Sequence, residues 1–71
     1  MHRLRIFEQG DIDRFCDFLR AVQVRIDAIE GLIVTASLPG APTQLHERRE
    51  LGGYVTTWNA LNPSSLVEVD E

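Results

Sequence analysis

The chain contains no lysine, since all seven of its basic residues are arginines. A P-loop, a Schiff-base site and a lysine general base each need a lysine, so enzymes built on them are excluded. The formal net charge is −4 at pH 7. An acidic balance works against a phosphate-binding surface, and nucleic acid is therefore disfavoured as a partner.

Cysteine and long apolar runs are also scarce. The single cysteine, Cys16, excludes an internal disulfide framework and suits a reducing compartment, so we expect a cytoplasmic protein. No apolar run approaches the roughly 18 residues that a membrane span needs, and no apolar signal core follows residues 1–7. We therefore expect neither membrane insertion nor secretion.

The composition that remains is ordinary for a small globular domain. Hydrophobic residues make up 44% of the 71 residues and charged residues 25%. This length lies near the lower limit at which one hydrophobic core holds a fold without disulfides or metals. We expect a single α+β domain over residues 1–71.

The first third of the chain predicts a strand followed by a helix. Charged and apolar residues alternate from His2 to Phe7, the pattern of a strand with one solvated face. Asp11 can then cap a helix. The apolar residues after it recur at spacings of three and four: Ile12, Phe15, Leu19, Val22, Ile26 and Ile29. This stripe favours one long helix from Asp11 to Glu30, ended by Gly31.

The alternative ends that helix near Val22 and makes Val24 to Ile29 a strand. Val24, Ile26 and Ala28 do alternate with charged residues, but Ile29 breaks the alternation. The long helix is the preferred interpretation.

Residues 32–38 are apolar and β-branched, which predicts a buried strand. Residues 43–61 allow two interpretations. One helix from Thr43 to Leu61 would hold Gly52 and Gly53 in its interior, at a cost of about 1 kcal/mol each. We prefer a polar loop, the two glycines, and a strand over Tyr54 to Trp58, whose residues are all typical of strands.

The last residues predict a strand that pairs with the first. Val67 and Val69 alternate with Glu68 and Asp70 over residues 66–70. Glu68 and Asp70 match the outward Arg3 and Arg5 of the first strand, and such cross-strand pairs favour pairing. The order β-α-β-β-β follows, with one long helix on one face of a mostly antiparallel sheet. The alternative is the ferredoxin-like βαββαβ order of ACT-type modules.

Catalytic groups are few. His2 and His46 lack partners at zinc-ligand spacing, and both are expected on the surface. Cys16 borders the apolar stripe, where a thiol behaves as a small buried hydrophobe. No serine or glycine motif of catalysis or phosphate binding occurs. We expect no enzyme, cofactor or metal site.

The stretch His46 to Glu50 mixes both signs of charge and predicts a solvated loop, in which Arg48 and Arg49 are candidate contacts for a protein partner. Tyr54 and Trp58 are expected to fill the core beneath the helix.

Three apolar residues are predicted on the sheet face away from the helix: Phe7, Ile33 and Leu66. Because one layer of helix covers one face, these residues call for a covering partner, and a second copy of the chain is the simplest one. The predicted function is a non-enzymatic interaction or accessory module that forms homo-oligomers. The alternatives are a ligand-sensing, ACT-like module and a small nucleic-acid-binding domain that uses Arg3, Arg5, Arg48 and Arg49.

Overall fold

Four antiparallel strands and two α-helices form the fold in the computed structural model, which describes residues 1–70. In chain order the elements are β1 (His2–Ile6), α1 (Ile12–Ala21), β2 (Arg25–Glu30), β3 (Ile33–Ser37), α2 (Gln44–Leu61) and β4 (Val67–Val69), with a 3₁₀ turn (Gln9–Asp11) before α1. The strand order is β2-β3-β1-β4. The α+β class and the antiparallel sheet are confirmed, and the chain adopts the alternative βαββαβ order rather than β-α-β-β-β.

Both helices pack on the same face of the sheet and enclose one core. The sheet contributes alternate residues of its strands, because successive side chains of a strand point to opposite faces. The buried apolar residues are Leu4, Ile6, Val34, Ala36 and Val67 from strands, Phe15, Leu19, Leu51, Val55 and Trp58 from helices, and Ile12, Cys16 and Val24 beside them. The other face of the sheet is left open.

The long helix from Asp11 to Glu30 is wrong, because α1 ends at Ala21. Gln23 takes a φ of 65°, a left-handed conformation that turns the chain out of the helix. Glutamine is not a usual residue for this position, which favours glycine or asparagine. The N–H of Val24 bonds the carbonyl of Leu19 and closes the turn. The sequence therefore carries no ordinary stop signal where the helix ends.

A β-bulge in β2 accounts for the misleading periodicity. Ile26 pairs with Ala36 and Ile29 pairs with Val34, with a register shift between them. Both isoleucines thus lie opposite residues that face the core, although strict alternation would place them on opposite faces. The extra residue gives β2 a spacing of three that imitates a helix.

The strand predicted over Tyr54 to Trp58 is also wrong, as is the loop before it, because both lie in α2. Thr43 caps this helix: its hydroxyl accepts a hydrogen bond from the N–H of His46 at 3.0 Å. Gly52 and Gly53 lie in the helix interior. Tertiary packing of the apolar side outweighs their cost, because most helical stability in proteins comes from such packing.

Trp58 fills the core as predicted, and Tyr54 is half-buried at its edge. The Trp58 ring packs edge-on against Phe15, with centroids 5.2 Å apart, and its indole N–H donates to the carbonyl of Ser65 at 2.7 Å. The guanidinium of Arg14 lies 5.3 Å from the ring centroid. This aromatic cluster joins both helices to the segment that leads into β4.

Candidate interaction surface

The open face of the sheet carries two adjacent columns of opposite charge. Arg5 pairs directly with Glu68 in the register of β1 and β4. The guanidinium groups of Arg3 and Arg5 lie 3.5 Å and 3.1 Å from a carboxylate oxygen of Asp70. The predicted pairing of the two terminal strands through these charges is confirmed.

Two of the three predicted apolar surface residues lie together at the end of these columns. Phe7 and Leu66 are 55% and 54% exposed. They occupy the positions one step beyond the pairing of Ile6 with Val67, and they line the same groove. Ile33 pairs with Arg5 on the neighbouring strand and is half-buried. The structure therefore keeps Phe7 and Leu66 accessible, and Ile33 only in part.

The groove lies where β1, the 3₁₀ turn and the α2–β4 connection meet. It has a volume of about 560 Å³ and is open to solvent. Its lining is apolar and acidic: Phe7, Pro63, Leu66 and Val67, with Glu8, Asp11 and Glu68, and the polar residues Asn59, Ser64 and Ser65. The carboxylate of Asp11 is engaged by Arg14 at 3.0 Å. A groove of this composition suits a ligand that is both apolar and positively charged.

Both edges of the sheet are protected against strand addition. On one edge, the bulge near Asp27 and the ion pair of Arg25 with Asp27 at 2.8 Å interrupt β2. On the other edge, the side-chain amide of Asn59 donates to the carbonyl of Val67 at 2.9 Å and accepts from its N–H at 2.8 Å. Bulges, charges and capped backbone groups are common defences of edge strands. These features disfavour the addition of a further strand at either edge.

No protein-family model, curated protein or solved structure shows a significant match to this chain. The chemistry of its own surfaces is thus the basis for a functional assignment.

Arg48 and Arg49 lie on the exposed side of α2, not in a loop. Because α2 covers the opposite side of the sheet, the structure does not bring these two arginines together with Phe7, Ile33 and Leu66. Arg3 and Arg5 face away from them as well. The four arginines therefore do not form one basic surface.

The prediction that His2 lies on the surface is wrong. The prediction that the charged stretch His46 to Glu50 is solvated is wrong at Glu47. Both side chains are buried, with His2 6% and Glu47 6% exposed, and His2 Nε2 lies 3.2 Å from Glu47 Oε1. The other carboxylate oxygen of Glu47 accepts the N–H of Leu38 at 2.8 Å, and the α-amino group of Met1 also contacts Glu47. His46, in contrast, is exposed beside Glu50.

The groups that donate hydrogen bonds to Glu47 stabilise the ionised form of its carboxylate. The hydrogen bond from the α-amino group of Met1 is the main cause that lowers its pKa, and the N–H of Leu38 adds to the effect, against the burial that opposes it. The helical spacing of Glu47, Leu51, Val55 and Trp58 was the available signal, because it places Glu47 on the buried side of α2.

The Cys16 thiol is buried, as expected from the sequence, and this burial raises its pKa. A thiol that ionises reluctantly is a poor nucleophile. Among residues 1–70 no cluster of three or more histidine, cysteine or carboxylate side chains is arranged to hold a metal ion. In the same part of the chain no helix has the length and apolar character of a membrane span.

Proposed function

We propose that this chain is a non-enzymatic interaction module that associates with a second copy of itself through the open face of its sheet. The observation that carries the proposal is the side-by-side arrangement of Arg3 and Arg5 on β1 with Glu68 and Asp70 on β4. Cys16 is the single cysteine of the chain and forms no internal disulfide, which suits a reducing compartment, and we propose the cytoplasm.

The two columns are complementary under a simple symmetry. Consider a two-fold axis that lies above the face, between β1 and β4 and parallel to the strands. It places β1 of each copy over β4 of the other, and each residue keeps its position along the strand direction. Arg5 of one copy then faces Glu68 of the other, and Phe7 faces Leu66. A two-fold interface must be self-complementary, and this face satisfies the requirement in both charge and apolar contact.

The size of the face predicts a weak dimer. With the axis between β1 and β4, only these two strands of each copy overlap, and at about 4.8 Å apart and up to about 17 Å long they span a footprint of about 160 Å². The accessible area is larger than this flat footprint because side chains make the surface uneven. Even if the area is doubled for this reason, it lies below the roughly 800 Å² per partner of a standard interface. We therefore expect a dissociation constant on the order of several hundred micromolar.

Nucleic acid is a weaker candidate for the same face. Arg3 and Arg5 are engaged by Asp70, and Glu68 lies between them and the edge of the sheet. Binding to a polyanion relies on cations that phosphates can neutralise, and here carboxylates already compete for them. A protein surface with both signs of charge is a better complement.

The proposal is tested by changing Phe7, which faces Leu66 of the other copy, to Asp. Phe7→Asp is expected to give a folded monomer, because the residue is 55% exposed and lies on the face away from the core. Ile6→Asp, at the preceding position but fully buried, is the control and is expected to unfold the chain. Light scattering at protein concentrations up to about 1 mM and circular dichroism make the comparison. Unchanged association of folded Phe7→Asp would contradict the proposal.

A further inference from the structure

We infer that the groove at the end of the sheet binds an extended, basic segment of another protein, in which an apolar side chain is flanked by arginine or lysine. This inference goes beyond self-association, because the groove extends from the open face round to the α2–β4 connection. It rests on the lining of the groove, its open shape and its charge.

The apolar part of the lining supplies the anchor. Phe7 and Leu66 are large apolar side chains that are more than half exposed, and Pro63 lies in the same lining. Exposed apolar residues gathered in a concave site are typical of binding surfaces. The groove therefore has room and contact area for an apolar side chain of a partner.

Charge selects the kind of segment. None of the lining residues is basic, whereas Glu8, Asp11 and Glu68 are acidic. Asp11 is already paired with Arg14, which leaves Glu8 and Glu68 to receive a ligand. Arginine and lysine side chains lay their apolar stems along an apolar wall and hold their charged ends at a solvated rim. A basic segment thus satisfies both features of the groove.

The open shape favours a peptide over a small molecule. Sites for small ligands bury about 70–90% of the ligand surface. This groove is open to solvent on one side, so a small amine bound in it keeps part of its surface exposed. A chain segment that passes through the groove gains contacts from several residues and does not need to be enclosed.

The probe is a fluorescein-labelled peptide of nine residues, acetylated and amidated, in which arginine and leucine alternate. Fluorescence anisotropy with the full chain is expected to give a dissociation constant of about 10–50 μM. A peptide with glutamate in place of arginine is expected to bind about tenfold more weakly, and one with serine in place of leucine about fivefold more weakly.

Four variants locate the site. Glu8→Gln and Leu66→Ser are expected to weaken binding about fivefold each. Their matched controls are Glu50→Gln and Leu45→Ser, which change the same residue types at exposed positions of α2, and they are expected to leave the affinity unchanged.

The outcomes are distinguishable from those of self-association. Phe7 and Leu66 border both surfaces, so protein is titrated only to about 50 μM, where a dimer with a dissociation constant of several hundred micromolar holds only about a fifth of the chains. Absence of binding would overturn the inference. Equal weakening by Glu8→Gln and Glu50→Gln would also overturn it, because the peptide would then be responding to the net charge of the chain. Neither result bears on association at higher concentration.

Discussion

The two glycines inside α2 make a sharp prediction, because they lower the stability of a helix that the fold requires. Gly52 and Gly53 lie in the middle of Gln44–Leu61, and a Cβ atom built at either position meets no atom within 4 Å outside the local helix backbone. Glycine in a helix interior is about 0.8–1.0 kcal/mol less favourable than alanine. Gly52→Ala and Gly53→Ala are therefore each expected to stabilise the chain by about 0.5–1 kcal/mol.

Such a gain is large for a chain of this size. A domain of 71 residues has a free energy of unfolding of about 4–10 kcal/mol. A gain of 1 kcal/mol raises the Tm of a domain this small by about 4–8 °C, so the two substitutions together, at about 1–2 kcal/mol, are expected to raise it by about 4–16 °C. Thermal and urea unfolding followed by circular dichroism at 222 nm measures both quantities.

Replacement of Gly31 by alanine is the control, and it is expected to change stability in the opposite direction. Gly31 has a φ of 61°, a conformation that costs an alanine about 1 kcal/mol or more, so Gly31→Ala is expected to lower the Tm. Loss of stability in the Gly52→Ala and Gly53→Ala variants would refute the reasoning. It would show that these residues do not lie in an unobstructed helix interior.

Two further predictions concern the charged stretch at the start of α2. Glu47→Gln is expected to lose about 1–3 kcal/mol at pH 7, because a buried carboxylate with charged and backbone donors is replaced by a neutral amide. The pKa of Glu47 is lowered in the folded chain, so its stabilisation is complete above the ordinary glutamate pKa of about 4.3 and is lost as the pH falls through the folded value. Urea unfolding from pH 7 to pH 3 should therefore show that the difference in free energy of unfolding between wild type and Glu47→Gln becomes smaller as the pH falls. A difference that does not depend on pH would contradict this assignment. Replacing Arg48 and Arg49 with alanine is expected to change the free energy of unfolding by no more than about 0.5 kcal/mol in the same assay, because both residues are exposed.

The sequence was informative where one period applied without interruption. The alternation over residues 2–7 and 66–70 located β1 and β4, and it also predicted the pairing of Arg3 and Arg5 with Glu68 and Asp70. These strands are regular, one face of each is buried and the other carries charge, so the pattern and the structure have the same cause.

Prediction failed where tertiary packing overrode local preference. The bulge in β2 placed Ile26 and Ile29 on one face and so imitated a helical repeat. In α2, local preference opposed the helix at Gly52 and Gly53 and across the β-prone residues 54–58. Leu51, Val55 and Trp58 nevertheless form a buried stripe at helical spacing, and their packing determines the structure.

The candidate surface was predicted only in part. Alternation placed Phe7, Ile33 and Leu66 away from the core, but it did not show that Phe7 and Leu66 line a groove, because that groove depends on the packing of the α2–β4 connection. The burial of His2 beside Glu47 was missed for a similar reason. The burial of these two side chains depends on the first turns of α2 lying over the start of β1 and the end of β3.

The central claim is that two copies associate with β1 of each over β4 of the other, and a mixing experiment tests it most directly. Arg5→Glu and Glu68→Arg each place like charges across the proposed two-fold axis, so each variant alone is expected to stay monomeric in sedimentation velocity at about 1 mM. An equimolar mixture restores both opposite-charge contacts between the two chains and is expected to form a heterodimer. Cross-strand effects within one chain cannot produce this rescue. A mixture that stays monomeric while the wild type dimerises would contradict the account.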